Sequence, residues 1–165
     1  MTAEPLLKLA ARLLTKHRLD AVLIGNAAAA LNGAPVTTED LDFFIRRTPL
    51  NVKKLQKIAE EIGVPLEQPH YPASHLYRIV KRAESLQFDF MVQIAGIRSF
   101  EGVRSRASVA DFDGYPLRVA SLEDVIKSKA AAGRDKDLAV MHILRRTVKE
   151  RDAMYRAARR TRRHA

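Results

Sequence analysis

Two carboxylates stand two positions apart in residues 38–45, TEDLDFFI, at the head of an apolar run. Side chains alternate along a β-strand, so Asp40 and Asp42 are expected on one face and the apolar residues on the other, facing a core. Two like charges this close repel each other. Their repulsion must be relieved by protonation or by a cation.

A third acid, Asp89, lies inside another apolar run, residues 86–92, which predicts a second strand. If the two strands are neighbours in a sheet, Asp89 converges with Asp40 and Asp42. A cluster of oxygen ligands suits a hard cation such as Mg²⁺ or Mn²⁺. Two such ions can activate an attacking oxygen and stabilise a leaving pyrophosphate. The alternative is that Asp89 forms an ion pair with Arg78 on a neighbouring strand.

The pair Gly25-Asn26 follows a short apolar run, residues 21–24, that reads as a buried strand. Glycine lets the backbone approach a ligand closely, and Asn26 is a plausible N-cap for a helix over residues 27–31. A helix N-terminus presents unpaired N–H groups to an anion. Together with the acids and the basic net charge, this turn indicates phosphoryl or nucleotidyl transfer.

The elements that must position these residues alternate between strands and helices. Apolar periodicity predicts strands near residues 21–24, 41–46, 77–81 and 86–92, and a hairpin over 108–119 with its turn at Asp113-Gly114. Helices are predicted over residues 3–18, 27–31, 52–62 and 121–132, followed by another from Asp135 that carries Leu138, Met141, His142 and Leu144 inward. The fold class is therefore α/β, or α+β: a small mixed sheet with flanking helices and C-terminal helices.

Composition limits the possible classes of function. The chain has 165 residues, no cysteine and a formal net charge of +10, so disulfides, thiolate metal sites and thiol catalysis are excluded. A basic balance favours polyanionic partners. We expect one domain over residues 1–150 and a basic helical tail over 151–165, which holds six arginines against Asp152 alone. No signal peptide and no apolar run of membrane-spanning length is visible, which predicts a cytoplasmic protein with no membrane partner.

These pieces, in this order, resemble the DNA polymerase β-like nucleotidyltransferase superfamily. The matching residues are Gly25-Asn26, Thr38-x-Asp40-x-Asp42 and Asp89. The segment over residues 121–137, SLEDVIKSKAAAGRDKD, is similar to the closing motif of small bacterial members related to the abortive-infection nucleotidyltransferase toxins. The resemblance covers roughly residues 20–145. One position departs from it, because the family turn is Gly-Gly or Gly-Ser.

The resemblance implies roles for individual residues. Asp40 and Asp42 would be metal ligands, and Asp89 a third ligand or general base. Gly25 and Asn26 would hold the triphosphate of an NTP, with Thr38 at the head of the acidic motif in the same nucleotide-binding set. Lys129 would contact phosphate or support the acids from the helical layer.

Two functions therefore remain open at this point. The first is a magnesium- or manganese-dependent nucleotidyltransferase that moves NMP from an NTP to a hydroxyl of RNA, tRNA or protein, as a component of a toxin–antitoxin pair. The second is a catalytically inactive protein of the same fold that binds nucleic acid or an antitoxin partner. Asn26 and the arginine-rich tail motivate the second.

Overall fold

The computed structural model describes residues 3–69 and 75–163 of the chain. Within these ranges it contains six α-helices and six strands. The helices are α1 (Ala3–Lys16), α2 (Gly25–Leu31), α3 (Pro49–Ile62), α4 (Phe100–Arg106), α5 (Leu122–Ala132) and α6 (Asp135–Arg163). The strands are β1 (Ala21–Ile24), β2 (Leu41–Ile45), β3 (Leu76–Lys81), β4 (Leu86–Met91), β5 (Ser108–Phe112) and β6 (Tyr115–Val119).

All six strands join one mixed sheet in the order β3-β4-β2-β1-β6-β5. Strand β2 lies at its centre, antiparallel to β1 and parallel to β4. In this register Ile24 is opposite Asp42, and Asp42 is opposite Asp89. The pairing therefore brings the end of β1, the acidic start of β2 and the middle of β4 side by side. The predicted mixed sheet with flanking helices is confirmed.

An aromatic cluster packs on the opposite face of the strands that carry the acids. The ring of Phe43 stacks on Phe90 at 5.1 Å and meets Phe88 edge-on at 6.1 Å, and all three side chains are at most 1% exposed. Such rings contribute large buried apolar area as well as a specific ring geometry. The cluster fixes the spacing of β2 and β4, and with it the separation of Asp42 from Asp89.

Local signals in the sequence correctly placed several element boundaries. Asp113 and Gly114 have φ angles of 55° and 87°, the two positive values that a tight hairpin turn of this type requires. Ser121 caps α5 by accepting a hydrogen bond from the backbone N–H of Asp124 at 3.2 Å. Both features depend on a few adjacent residues, so they are readable without the fold.

Two predictions about helices are wrong. Helix α2 begins at Gly25, so Asn26 lies inside its first turn and is not the N-cap. In α6, Leu138 is 53% exposed and His142 is also exposed, although both were expected to face inward. The reason is that α6 buries only a narrow side, where Met141 and Leu144 do lie as predicted.

Helix α6 continues without interruption for 29 residues, through the whole arginine-rich segment as far as Arg163. The division between a domain over residues 1–150 and a tail over 151–165 stays a prediction. Among the described residues no helix combines the length and the apolar character needed to cross a bilayer. Residues 70–74 of the loop predicted over residues 64–75, including His70, lie outside the described ranges.

Candidate active site

The three predicted acids come together at one edge of the sheet. Asp40, Asp42 and Asp89 each offer a carboxylate oxygen, and these oxygens lie within 4.8 Å of one another. Asp89 is only 5% exposed, and the other two are partly buried. Among the described residues this is the one group of three acids, histidines or cysteines whose donor atoms converge in this way.

The carboxyl of Asp42 carries the electrostatic cost of this arrangement. Burial, followed by the charges of Asp40 and Asp89, raises the pKa of Asp42 from its ordinary 3.8 to about 7. The positive charges of Lys136 and Lys129 oppose this rise but do not cancel it. Three oxygen ligands with unbalanced negative charge form the donor set that a hard divalent cation prefers. The residues present therefore fit Mg²⁺ or Mn²⁺.

Asp89 also has a partner within the protein. Arg78 donates to its two oxygens, from Nε at 2.7 Å and from an Nη at 2.8 Å, in the paired geometry typical of arginine and carboxylate. Gln87 Nε2 donates to Asp89 at 3.1 Å and reaches Asp40 at 3.4 Å. The alternative interpretation of Asp89 as an ion pair with Arg78 is thus confirmed, and the same carboxylate still belongs to the acid cluster.

Gly25 is the point at which the backbone of α2 meets the acids. A Cβ atom added to this residue would lie 2.6 Å from Asp42 Oδ2, closer than side chains can approach. Its φ of +67° is also a conformation that favours glycine. Both the close approach and the backbone angle therefore require glycine here, which explains how the turn can lie directly against Asp42.

Asn26 and Thr38 shape the loop between α2 and β2. Asn26 Nδ2 donates to the carbonyl oxygen of Thr37 at 3.2 Å, while its buried Oδ1 has no hydrogen-bond partner among the described residues. Thr38 Oγ1 donates to the carbonyl of Asp40 at 2.6 Å and also approaches the Asp40 carboxylate at 3.3 Å. Thr38 thus holds the first acid in place, and Asn26 leaves an acceptor without a donor.

Lys129 is buried in α5, only 9% exposed, and its Nζ donates to Asp137 at 3.0 Å. Arg134 donates to the other oxygen of Asp137 at 2.6 Å. Burial raises the pKa of Asp137, but the hydrogen bonds from Arg134 and Lys129 outweigh it and lower that pKa overall. Lys129 therefore helps to lock α5 against α6, and its charge also acts on Asp42 from that layer.

A cleft of about 650 Å³ opens beside the acids. Its walls come from the loop before β2, from the hairpin of β3 and β4, and from Glu67. The backbone N–H of Glu67 donates to the carbonyl of Arg78, and the N–H of Arg78 donates to the carbonyl of Glu67, both at 2.8 Å. Of the three acids, Asp40 lines this cleft, together with Arg78 and Gln87, which hydrogen-bond to Asp89. A substrate group placed in the cleft would therefore lie against Asp40.

Sequence reasoning missed two residues of this neighbourhood. Gln87 bonds two of the acids, and its position two residues before Asp89 on the polar face of the same strand was an available signal. Lys136 is exposed on α6, yet its charge is the largest cationic influence on the pKa of Asp42. Its proximity depends on how α6 packs, which no local pattern reveals.

The chain matches the family model described as a nucleotidyl transferase of unknown function (DUF2204) over residues 3–165, and it belongs to that family. No curated protein matches its sequence significantly.

Solved structures share the fold at low identity. A nucleotidyltransferase from Thermotoga maritima has a TM-score of 0.59 at 17% identity, over 91% of this chain and 96% of that one. The antibiotic-resistance factor ANT(2″)-Ia has a TM-score of 0.57 at 16% identity, over 99% of this chain and 97% of that one. The same factor in complex with adenylyl-2″-tobramycin has a TM-score of 0.54 at 19% identity, over 94% of each chain.

Proposed function

We propose that this member of the nucleotidyl transferase family transfers NMP from an NTP to an acceptor hydroxyl, with Asp40, Asp42 and Asp89 as the ligands of Mg²⁺ or Mn²⁺. The observation that carries the proposal is the approach of three carboxylates to within 4.8 Å, with the pKa of Asp42 raised to about 7. Such a cluster is costly to the fold, which supports a role in binding a cation.

In this reaction the acceptor oxygen forms a bond to the α-phosphorus of the NTP, the bond from that phosphorus to the bridging oxygen breaks, and pyrophosphate leaves. A bound divalent ion would supply Lewis-acid stabilisation of the phosphoryl charge. The hydroxyl proton needs an acceptor, and Asp89 is proposed for this role or as the third metal ligand. Arg78 and Gln87 orient its carboxylate in either case.

Gly25, Asn26 and Thr38 are proposed to hold the nucleotide. Gly25 brings the backbone of α2 against Asp42, so a triphosphate bound there would lie next to the acids. One N–H of the Asn26 amide is used by Thr37, which leaves the other for a phosphate oxygen. Lys129 is proposed to balance the charge of the cluster from α5.

The acceptor is proposed to enter the cleft of about 650 Å³ beside Asp40 and Gln87. This volume suits a nucleoside-sized or sugar-sized group, such as the end of an RNA or tRNA or an exposed protein side chain. A role as one half of a toxin–antitoxin pair in the cytoplasm belongs to the same proposal.

The test is incubation of the purified protein with α-labelled NTPs, Mn²⁺ or Mg²⁺, and separate acceptors: total tRNA, single-stranded RNA, a protein mixture and tobramycin. We expect labelled acceptor and released pyrophosphate in at least one reaction, and loss of both with Asp42→Asn. Absence of transfer to every acceptor, or transfer that survives loss of Asp40 and Asp42, would overturn the proposal.

The second candidate is a catalytically inactive protein of this fold that binds a nucleic acid or a partner. The ion pair between Arg78 and Asp89 favours it, because an arginine already neutralises one of the three acids. This candidate expects Mn²⁺ to leave the melting temperature of the protein unchanged. The first expects a rise, because a ligand that binds only the folded state stabilises it.

A further inference from the structure

One face of α6 carries a row of five cations that the active-site proposal does not use. At 3.6 residues per turn, their positions fall within about 60° of one another around the helix axis. At a rise of 1.5 Å per residue, they extend over about 27 Å along it. We call this set the basic row: Arg145, Lys149, Arg156, Arg160 and Arg163.

Every side chain of the basic row is exposed, and none forms an ion pair among the described residues. Their neighbours on the same helix behave differently. Arg146 pairs with Glu150, and Arg151 pairs with Glu123 and Asp152. The fold thus neutralises Arg146 and Arg151, whereas the row is unpaired along its length. Arg159 and Arg162, which lie off the row on the same helix, also form no ion pair among the described residues.

The composition of the helix around the row favours a nucleic acid over a membrane surface as the anionic partner. A membrane-surface helix needs a broad apolar face, but beyond Asp152 the large apolar side chains of α6 are only Met154 and Tyr155. Each strand of a duplex offers one phosphate about every 3.4 Å of helix axis, or roughly eight phosphates over 27 Å.

We propose that the basic row is a binding surface for the phosphate backbone of a nucleic acid. Helix α6 packs against α5, which packs against α2, the helix that carries Gly25 and Asn26 beside the acids. The row begins about 14 Å along the helix axis from Lys136, in the first turn of α6. A strand lying on the row can therefore extend toward the cleft. The proposal does not require catalysis, because it depends only on the exposed charges.

The test is fluorescence anisotropy with a labelled single-stranded RNA of about 20 nucleotides and a DNA of the same sequence, over about 50–200 mM salt, without NTP or divalent metal. Three proteins are compared. One is unchanged. One carries Arg156→Gln, Arg160→Gln and Arg163→Gln. The third is a control of equal net charge with Arg47→Gln, Lys53→Gln and Lys57→Gln, which are exposed side chains on or just before α3.

We expect the row variant to bind at least about 10-fold more weakly at low salt, with the slope of log K against log salt reduced by about 2–3. The control should keep the original slope, and replacement of the same three arginines by lysine should restore binding. Circular dichroism should show equal helix content in all proteins, since glutamine is a good helix former.

Three results would overturn the proposal. The first is an unchanged protein that binds neither strand. The second is an equal loss in the control, which would mean that net charge alone attracts the strand. The third is equally tight binding of poly-glutamate that depends on the same three arginines, which would make the partner an acidic protein.

Discussion

The acid cluster and the basic row concentrate charge in opposite ways. Asp40, Asp42 and Asp89 converge within 4.8 Å on partly buried positions of two adjacent strands. The basic row spreads five cations along about 27 Å of one exposed helix face. Exposed like charges one helical turn apart repel by only a few tenths of a kcal/mol and are partly screened by salt, whereas buried like charges are screened much less.

The acid cluster and the basic row therefore differ in what they cost the folded state. The acids cost free energy in the folded state, and the pKa of Asp42 reports that cost. The repulsion within the row costs the fold much less free energy than the burial of the acids. Salt dependence should therefore reveal the row, whereas pH and divalent ions should reveal the cluster.

Removal of one acid tests the cluster most severely. We expect Asp42→Asn to lower transfer on the order of 10³-fold, because a group that stabilises transition-state charge is lost. Labelled-NTP transfer at saturating Mn²⁺ measures the effect. Glu60→Gln removes one negative charge from exposed α3 and serves as the control. Equal activity of the two variants would contradict the assignment of the site.

The same substitution should stabilise the protein without metal. The folded-state pKa of Asp42 is raised to about 7, so between pH 3.8 and about 7 the folded state binds more protons and its stability falls as pH rises. Asp42→Asn should raise the free energy of unfolding at pH 8 by up to about 4 kcal/mol. The gain should disappear near pH 4. Urea denaturation in EDTA at both pH values measures this gain in the free energy of unfolding. An equal gain at both pH values would contradict its attribution to the charge of Asp42.

Gly25→Ala should displace Asp42, because its Cβ would lie 2.6 Å from the carboxylate. We expect transfer to fall about 10²-fold, as for a misplaced catalytic group. Gly33→Ala is the matched control: it also has positive φ, but nothing lies within 4 Å of its added Cβ. Its backbone strain costs about 1–2 kcal/mol without touching the acids. Similar transfer rates for both variants would show that the close approach does not matter.

Arg78→Gln should have the smallest effect of the four. Loss of the arginine leaves Asp89 uncompensated, and because Arg78 is partly exposed we expect a loss of about 1–3 kcal/mol rather than the full cost of a broken buried pair. Mn²⁺ should restore much of it by replacing the lost charge. Lys81→Gln on the same strand should change stability by less than about 0.5 kcal/mol. Thermal denaturation with and without Mn²⁺ compares the two variants. If Mn²⁺ does not restore the stability of Arg78→Gln, the prediction that a metal ion replaces the charge of Arg78 at Asp89 is wrong.

Part of this site could be read from the sequence because its signals are local. The alternation around Asp40 and Asp42, the position of Asp89 and the glycine turn each depend on a few adjacent residues. What could not be read depends on packing. Asn26 lies inside α2 because the helix starts at Gly25, two residues earlier than its pattern suggests. The effect of the Lys136 charge on the pKa of Asp42 depends on the way α6 packs.

The basic row shows the same division. The arginines of the tail were visible in the sequence, but the continuous α6 was needed to align Arg145 and Lys149 with Arg156, Arg160 and Arg163. The inward side of α6 was misjudged at Leu138 and His142, since only a narrow strip of the helix is buried. A helical pattern predicts which residues share a face, but the face that packs is set by the rest of the fold.

The most direct test of the active site is a crystal structure of the protein with Mn²⁺ and a non-hydrolysable NTP analogue. We predict anomalous density for manganese among the carboxylates of Asp40, Asp42 and Asp89, with the triphosphate against Gly25 and Asn26. A nucleotide bound elsewhere, or an acid cluster without manganese and with Asp89 held by Arg78 alone, would contradict the account.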